Sequence, residues 1–139
     1  MVDIENYVIN FIQTRLEAAG KTVTVDSLEQ PFPSEFPCVS VREVRNVSRG
    51  QSMDEQSSER HVLVIYQIDV YVTEKPIKAT CKEYMKIIDE AMRDLKFTRT
   101  EYDISISGDR TVAWGTIRYR ATVGAPVTSG DNQVYQMYR

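Results

Sequence analysis

The stretch HVLVIYQIDVYVT, residues 61–73, decides the fold. Val62, Val64, Tyr66, Ile68, Val70 and Val72 make an unbroken apolar row at every second position, so in a β-strand one whole face must be covered by other parts of the chain. The alternate row, Leu63, Ile65, Gln67, Asp69 and Tyr71, is too apolar for a plain solvent face and too polar for a second core. A central strand with one buried face and one partner-facing face accounts for both rows.

Downstream, Lys75-Pro76 ends this strand, and Pro76 suits the first turn of a helix, where its missing N–H costs nothing. Over residues 77–96, Ile77, Cys81, Tyr84, Met85, Ile88, Met92 and Leu95 hold one stripe, widened by Ile87 and Ala91. Met85 and Met92 read as core filling rather than as the lining of a pliable groove. Lys86 with Glu90 and Asp89 with Arg93 stand at i, i+4 on the exposed side. Residues 97–106 alternate Tyr102, Ile104 and Ile106 with Glu101, Asp103 and Ser105, a strand with one wet face. After a turn at Ser107-Gly108-Asp109, residues 111–123 form a last strand. Its row Ala113, Gly115, Ile117, Tyr119, Ala121, Val123 predicts a helix crossing closely over Gly115. Its other row, with Trp114, Thr116, Arg118 and Arg120, cannot be core.

Upstream, Ile4, Tyr7, Val8, Phe11, Ile12, Leu16 and Ala19 keep the spacing of an amphipathic helix, with Asp3 placed to cap it and Gly20 to end it. Residues 21–25 offer a short edge strand, and QPFPSEFP (residues 30–37) is too proline-rich to be anything but loop. CVSVREVR (residues 38–45) alternates as a strand. NVSRGQSMDEQSSE (residues 46–59) has no apolar periodicity and exceeds what a hairpin needs; loops of that length either carry a function or lack fixed structure. The sequon at Asn46 is a chance match in a chain with no secretion signal.

These elements predict an α+β fold, a four-stranded, mostly antiparallel sheet with two helices on one face. Residues 1–125 form one domain, residues 46–60 protrude from it as a loop or arm, and residues 126–139 are an extended C-terminal tail. The second sheet face then carries Leu63, Ile65, Tyr71 and Trp114 beside Gln67, Asp69, Arg118 and Arg120. Mixed aromatic, aliphatic and arginine side chains are the composition of a protein interface, although a plain cross-strand pair between Asp69 and an arginine would also fit.

The succession FPCVSVREV (36–44), a polar insert, ERHVLVIYQIDVYVTEK (59–75), CKEYMKIIDEAMRDLKFTRT (81–100) and RYRATV (118–123) resembles the tail terminator and tail-completion proteins of tailed bacteriophages and phage-tail-like bacteriocins. The resemblance covers about residues 35–123. It implies a helix-backed sheet that assembles as a homo-oligomeric, hexameric ring on the tail tube or sheath protein and offers a docking surface to the head-tail connector. The 46–60 loop, with Arg49, Met53, Asp54 and Glu55, would then be an arm to a neighbouring subunit or the tube. The C-terminal tail, with Tyr135 and Tyr138, would be a second arm. The chain would assemble in the host cytoplasm and end in the tail or neck of the particle. A neck or connector protein of the same particle is the nearest alternative.

Composition narrows the rest. Twenty Asp and Glu against 17 Lys and Arg give a net charge of -3, which suits DNA passing through a ring without specific binding, since each neutralised phosphate would add to the grip. Asp54, Glu55 and Glu59 are the candidate lumen carboxylates. No apolar run approaches the ~20 residues that span a bilayer, and no membrane partner is expected. Cys38 and Cys81 have neither metal-ligand spacing nor a disulfide framework, and read as reduced, buried thiols. An enzyme is not expected: His61 has no partner visible in sequence, Cys81 lies on an apolar stripe, and no glycine loop cradles a phosphate. No cofactor and no metal are expected. A ferredoxin-like module that binds nucleic acid or a small ligand on the face of Tyr71, Trp114, Arg118 and Arg120 is the other alternative.

Overall fold

The structure, a computed structural model, describes residues 4–27, 36–48, 61–124, 127–129, 132–134 and 137–138. Helix α1 (Glu5–Ala18) and the short strand β1 (Thr24–Asp26) precede β2 (Cys38–Ser48) and β3 (His61–Val72). Helix α2 (Ile77–Asp94), β4 (Thr98–Ile106) and β5 (Ala113–Gly124) follow, then the short strands β6 (Val127–Ser129), β7 (Asn132–Val134) and β8 (Met137–Tyr138). The sheet runs in the order β1-β2-β3-β5-β4, with β8 also paired on β5.

Two features of that sheet correct the sequence reading. It is mixed and five strands wide rather than four, because β1 pairs with β2 in parallel, Val25 opposite Val39. In addition, β8 takes up the margin of β5 at Thr122 and Val123, past Arg120 where β4 begins, so part of the expected tail lies in the sheet. The other pairings on this path are antiparallel, so β3 and β4 run parallel on either side of β5, joined by α2. β2 also reaches further than its pattern suggested: Asn46, Val47 and Ser48 continue the ladder with β3 instead of starting the loop. The ladder slips at Val44, between Glu43 and Arg45, and the backbone N–H of Glu43 donates to Glu5 Oε2 of α1 at 3.4 Å.

The row that decided the fold is the centre of the core. Val62, Val64, Tyr66, Ile68, Val70 and Val72 are all fully buried, beside Val39 and Val41 of β2 and Ile117, Tyr119 and Val123 of β5. Burying each of these aliphatic side chains is worth about 1.5–3 kcal/mol. Ile4, Val8, Ile12 and Leu16 of α1 and Ile77, Cys81, Met85, Ile88 and Met92 of α2 cover them. Tyr7 and Phe11 flank this stripe at its rim, Phe11 carrying the Arg15 guanidinium 4.9 Å from its ring centre. The helices are also joined across their tops by Lys21–Glu83 at 2.7 Å and by Arg15–Asp94.

Both helices stop in the same way. Gly20 N–H donates to Glu17 O and Lys21 N–H to Leu16 O, closing α1 over a left-handed Gly20 at φ +79°. At the end of α2, Lys96 N–H donates to Arg93 O and Phe97 N–H to Met92 O, with Lys96 at φ 66° in the position glycine prefers. The buried Phe97 turns in under the helix end and meets Tyr66 edge-on, 5.7 Å between ring centres.

The crossing expected over Gly115 is there. A Cβ added to Gly115 would stand 2.5 Å from Met85 Sδ and 2.9 Å from Cys81 Sγ, so α2 rests directly on the β5 backbone. Gly115→Val is therefore expected to cost about 1–3 kcal/mol in urea unfolding, and Gly115→Ala less, since the Met85 thioether can swing aside. Lys96→Gly is expected to raise stability by up to about 1 kcal/mol by relieving the left-handed backbone. Val64→Asp or Val70→Asp should leave no folded, soluble protein, because each buries an unpaired charge. Folded protein from either would show that the core lies on the other face.

Candidate functional site

The face of the sheet turned away from the helices is a grid of cross-strand rows. Register places Cys38, Tyr71, Trp114 and Ser105 in one row across β2, β3, β5 and β4, and Ser40, Asp69, Thr116 and Asp103 in the next. Arg42, Gln67, Arg118 and Glu101 follow, then Arg45, Ile65, Arg120 and Thr98. Past these, Val47, Leu63 and Thr122 lie in register, with Tyr138 of β8 opposite Thr122. The period of two in β3 and β5 puts the residues of these two strands on one side, as the alternation required, and the slip in β2 brings Arg45 and Val47 to the same side.

Asp69 is the pivot of this grid. It is only 3% exposed, yet three side chains donate to it: Thr116 Oγ1 at 2.8 Å and Trp114 Nε1 at 3.3 Å to Oδ1, and Gln67 Nε2 at 3.2 Å to Oδ2. A buried carboxyl group is tolerated only when its lone pairs are met in this manner. Gln67 passes the polarity on, its Oε1 accepting from Arg118 Nε at 3.1 Å, and Arg118 stands 3.4 Å from Glu101 Oε1. The donors to Asp69 among the described residues are thus neutral ones, while Arg118 of the neighbouring row pairs outward, with Glu101 of β4. Tyr71, 4% exposed, lies under Trp114 with the rings stacked at 5.7 Å and 15°.

Among the residues expected to make contacts, the structure brings Leu63, Ile65, Asp69, Tyr71, Trp114, Arg118 and Arg120 onto this one face. Their roles differ. Asp69 and Tyr71 are buried inside the subunit and act as its underlay, so they are not contact atoms of the free chain. Trp114, 45% exposed, and the exposed Arg118 and Arg120 form the outer layer, with half-buried Leu63 and Ile65 beside them. Arg49, Met53, Asp54, Glu55 and Tyr135 lie outside the described residues, and Tyr138 enters through the backbone pairing of β8. Sequence reasoning missed Thr116 and Gln67 as donors to Asp69, Glu101 as the partner of Arg118, and Arg42, Arg45 and Val47 of β2 as members of the face. The alternation of Ser40 and Arg42 was the available signal for Arg42, whereas the slip at Val44 hid Arg45 and Val47.

Both cysteines and the Tyr119 phenol are buried. Cys81 is fully buried beneath Gly115, and burial pushes its thiol up to about 11, away from any nucleophilic role. Tyr119 donates to Asp89 Oδ1 at 2.9 Å, and burial first, then that carboxylate, hold its phenol well above the usual tyrosine range. The alkaline behaviour follows: an unfolded thiol ionises near about 8.5, whereas Cys81 resists until about 11. Its contribution to stability is complete below the unfolded value and is lost as pH rises toward the folded one.

Neither a protein-family model nor a curated protein matches the sequence. The face must therefore be read from its own geometry.

Asp69→Ala strands the Thr116 hydroxyl, the Trp114 indole N–H and the Gln67 amide, and is expected to lower stability by about 1–3 kcal/mol with a shift in Trp114 emission. Asp69→Asn should cost less, since one oxygen remains to accept. Above about pH 9 the wild type should lose stability at up to about 1.4 kcal/mol per pH unit, and Cys81→Ala should flatten that slope in urea titrations. An unchanged slope would place the thiol's ionisation outside the unfolding equilibrium.

Proposed function

We propose that this chain is a structural subunit of a tailed phage or phage-tail-like particle, the terminator that closes the tail tube as a homo-oligomeric, hexameric ring and receives the head-tail connector. The observation that carries the reading is the grid around Asp69. It holds an exposed tryptophan, the exposed Arg118 and Arg120, and the partly covered Leu63 and Ile65 on one face of the sheet. Central aromatic and arginine side chains with fixed rotamers are what a protein contact uses, because little conformational entropy is left to lose on association. Trp114 is pinned at its indole N–H and stacked from below, and Arg118 is pinned by Gln67, so both present preset surfaces.

The same pinning weighs against the nucleic-acid alternative. Tyr71, needed there as a stacking platform, is buried under Trp114, and Arg118 already faces Glu101. The net charge of -3 points the same way.

Trp114→Ala and Arg120→Glu should each weaken ring assembly by about tenfold or more in light scattering while the circular dichroism of the subunit is retained. Particles made without the protein should carry overlong or headless tails in electron micrographs. A monomer that binds oligonucleotides tightly and in a salt-sensitive manner, with tails unaffected by its loss, would overturn the reading.

A further inference from the structure

A second surface lies on the helix side of the sheet, between α2 and β4, and the contacts above do not use it. Because α2 rests on β5 at Gly115, it overhangs β4 without covering it. Tyr102 is 58% and Ile106 43% exposed although they alternate with Ile104 on the core side of β4. The gap forms a cavity of about 280 Å³ floored by Met85, Tyr102, Ile104 and Ile117. It continues as a second depression past Lys78 and Ile106 to Arg110.

Charge along this groove is sorted. Lys78, Lys82 and Lys86 recur every fourth residue on the exposed side of α2, and Lys82 and Lys86 line the cavity. These three lysines form no ion pair among the described residues; the expected Lys86–Glu90 pair is not made. Arg99 stands on the β4 wall. Of the α2 carboxylates, Glu83 pairs with Lys21 and Asp94 with Arg15 of α1, Glu90 is exposed, and Asp89 lines the cavity but is engaged by Tyr119, Arg93 and Arg99. The cavity thus sets three cations, Lys82, Lys86 and Arg99, against one carboxylate, Asp89, over an apolar floor. Along that floor runs β4, which stands at the end of the sheet order and has no strand beyond it among the described residues. An edge strand in register with an apolar, cation-rimmed groove is a template for strand addition.

We propose that this groove docks an extended acidic segment of a partner protein, which adds to β4 as a further strand. Its alternate side chains face α2. Apolar ones cover Tyr102 and Ile106, and glutamates or aspartates meet Lys78, Lys82 and Lys86. The proposal goes beyond the ring reading and does not depend on it, since the two surfaces lie on opposite faces of the sheet.

The test uses the full chain and a fluorescent peptide alternating Glu with Val and Tyr, measured by anisotropy. Controls are the same peptide with Lys for Glu, the Glu peptide N-methylated at alternate amides, and a single-stranded oligonucleotide. The Glu peptide should bind. Lys82→Glu with Lys86→Glu should weaken it by tenfold or more, as should N-methylation, which removes strand hydrogen bonds without changing charge. Both substitutions are on exposed positions, and the circular dichroism spectrum checks that the fold is kept. Equal binding of the Glu and Lys peptides, or binding of neither, overturns the proposal. Oligonucleotide binding that depends on Lys82 and Lys86 assigns the groove to nucleic acid instead, and self-association lost in the double variant assigns it to a second copy.

Discussion

The contact between α2 and the backbone of β5 at Gly115 is the constraint on which the remaining arrangement hangs. Met85 and Cys81 sit where a side chain would be, so the helix axis is brought down onto the sheet at β5 rather than over its edge. That approach buries the Tyr119 ring and lets its hydroxyl reach Asp89. It also leaves the outer side of β4 uncovered. A larger residue at position 115 would lift α2 and open the core beneath it; the absence of a single Cβ therefore determines both how the core is packed and where the groove lies.

The second constraint acts through β3. Its two faces are separated by nothing more than alternation, yet one is wholly apolar and the other holds a buried aspartate. Asp69 is costly to bury, and its donors come from β5 and from its own strand two residues away. The network consequently ties β3 to β5 by side chains on the face where apolar packing is thin, and a register slip of one residue would break it as surely as it would expose the valines. Polar satisfaction on one face and apolar burial on the other specify the same register, which is the agreement between levels expected of a uniquely folded sheet.

Much of this was legible in the chain because it is periodic. The Val62 to Val72 row, the α2 stripe and the small residue at position 115 are local patterns whose consequences are local, and they located the core face and the helix crossing. What escaped was short or non-local. The short edge strand read at residues 21–25 is there as β1, shifted to Thr24–Asp26, but its parallel pairing with β2 did not show; β8 has two residues, too few for alternation, and is placed by the margin of β5 beyond Arg120. The slip at Val44 inverts the facing of all that follows in β2, so reading CVSVREVR as uniform alternation assigns Arg45 to the wrong side, while Val47 falls in the stretch read as loop. The donors to Asp69 stand 45 and 47 residues away at Trp114 and Thr116, and composition alone suggested an arginine in their place.

The sorting of charge on α2 carries the synthesis one step further. A helix can balance its own charges by i, i+4 pairs, and Asp89 with Arg93 does so at 3.3 Å. Glu83 and Asp94 instead pair with Lys21 and with Arg15 of α1, and Lys78, Lys82 and Lys86 form no ion pair among the described residues. An exposed lysine row costs little in water and contributes little to stability, so nothing in the folding of the subunit requires it. Under the proposed strand addition, its alignment along the Tyr102 and Ile104 floor is what gives the row a use. The face around Asp69 is prearranged by hydrogen bonds and stacking, whereas the groove offers long, mobile cations over a bare strand edge. With both proposed surfaces in use, the sheet would be a rigid display on one side and an adaptable capture surface on the other.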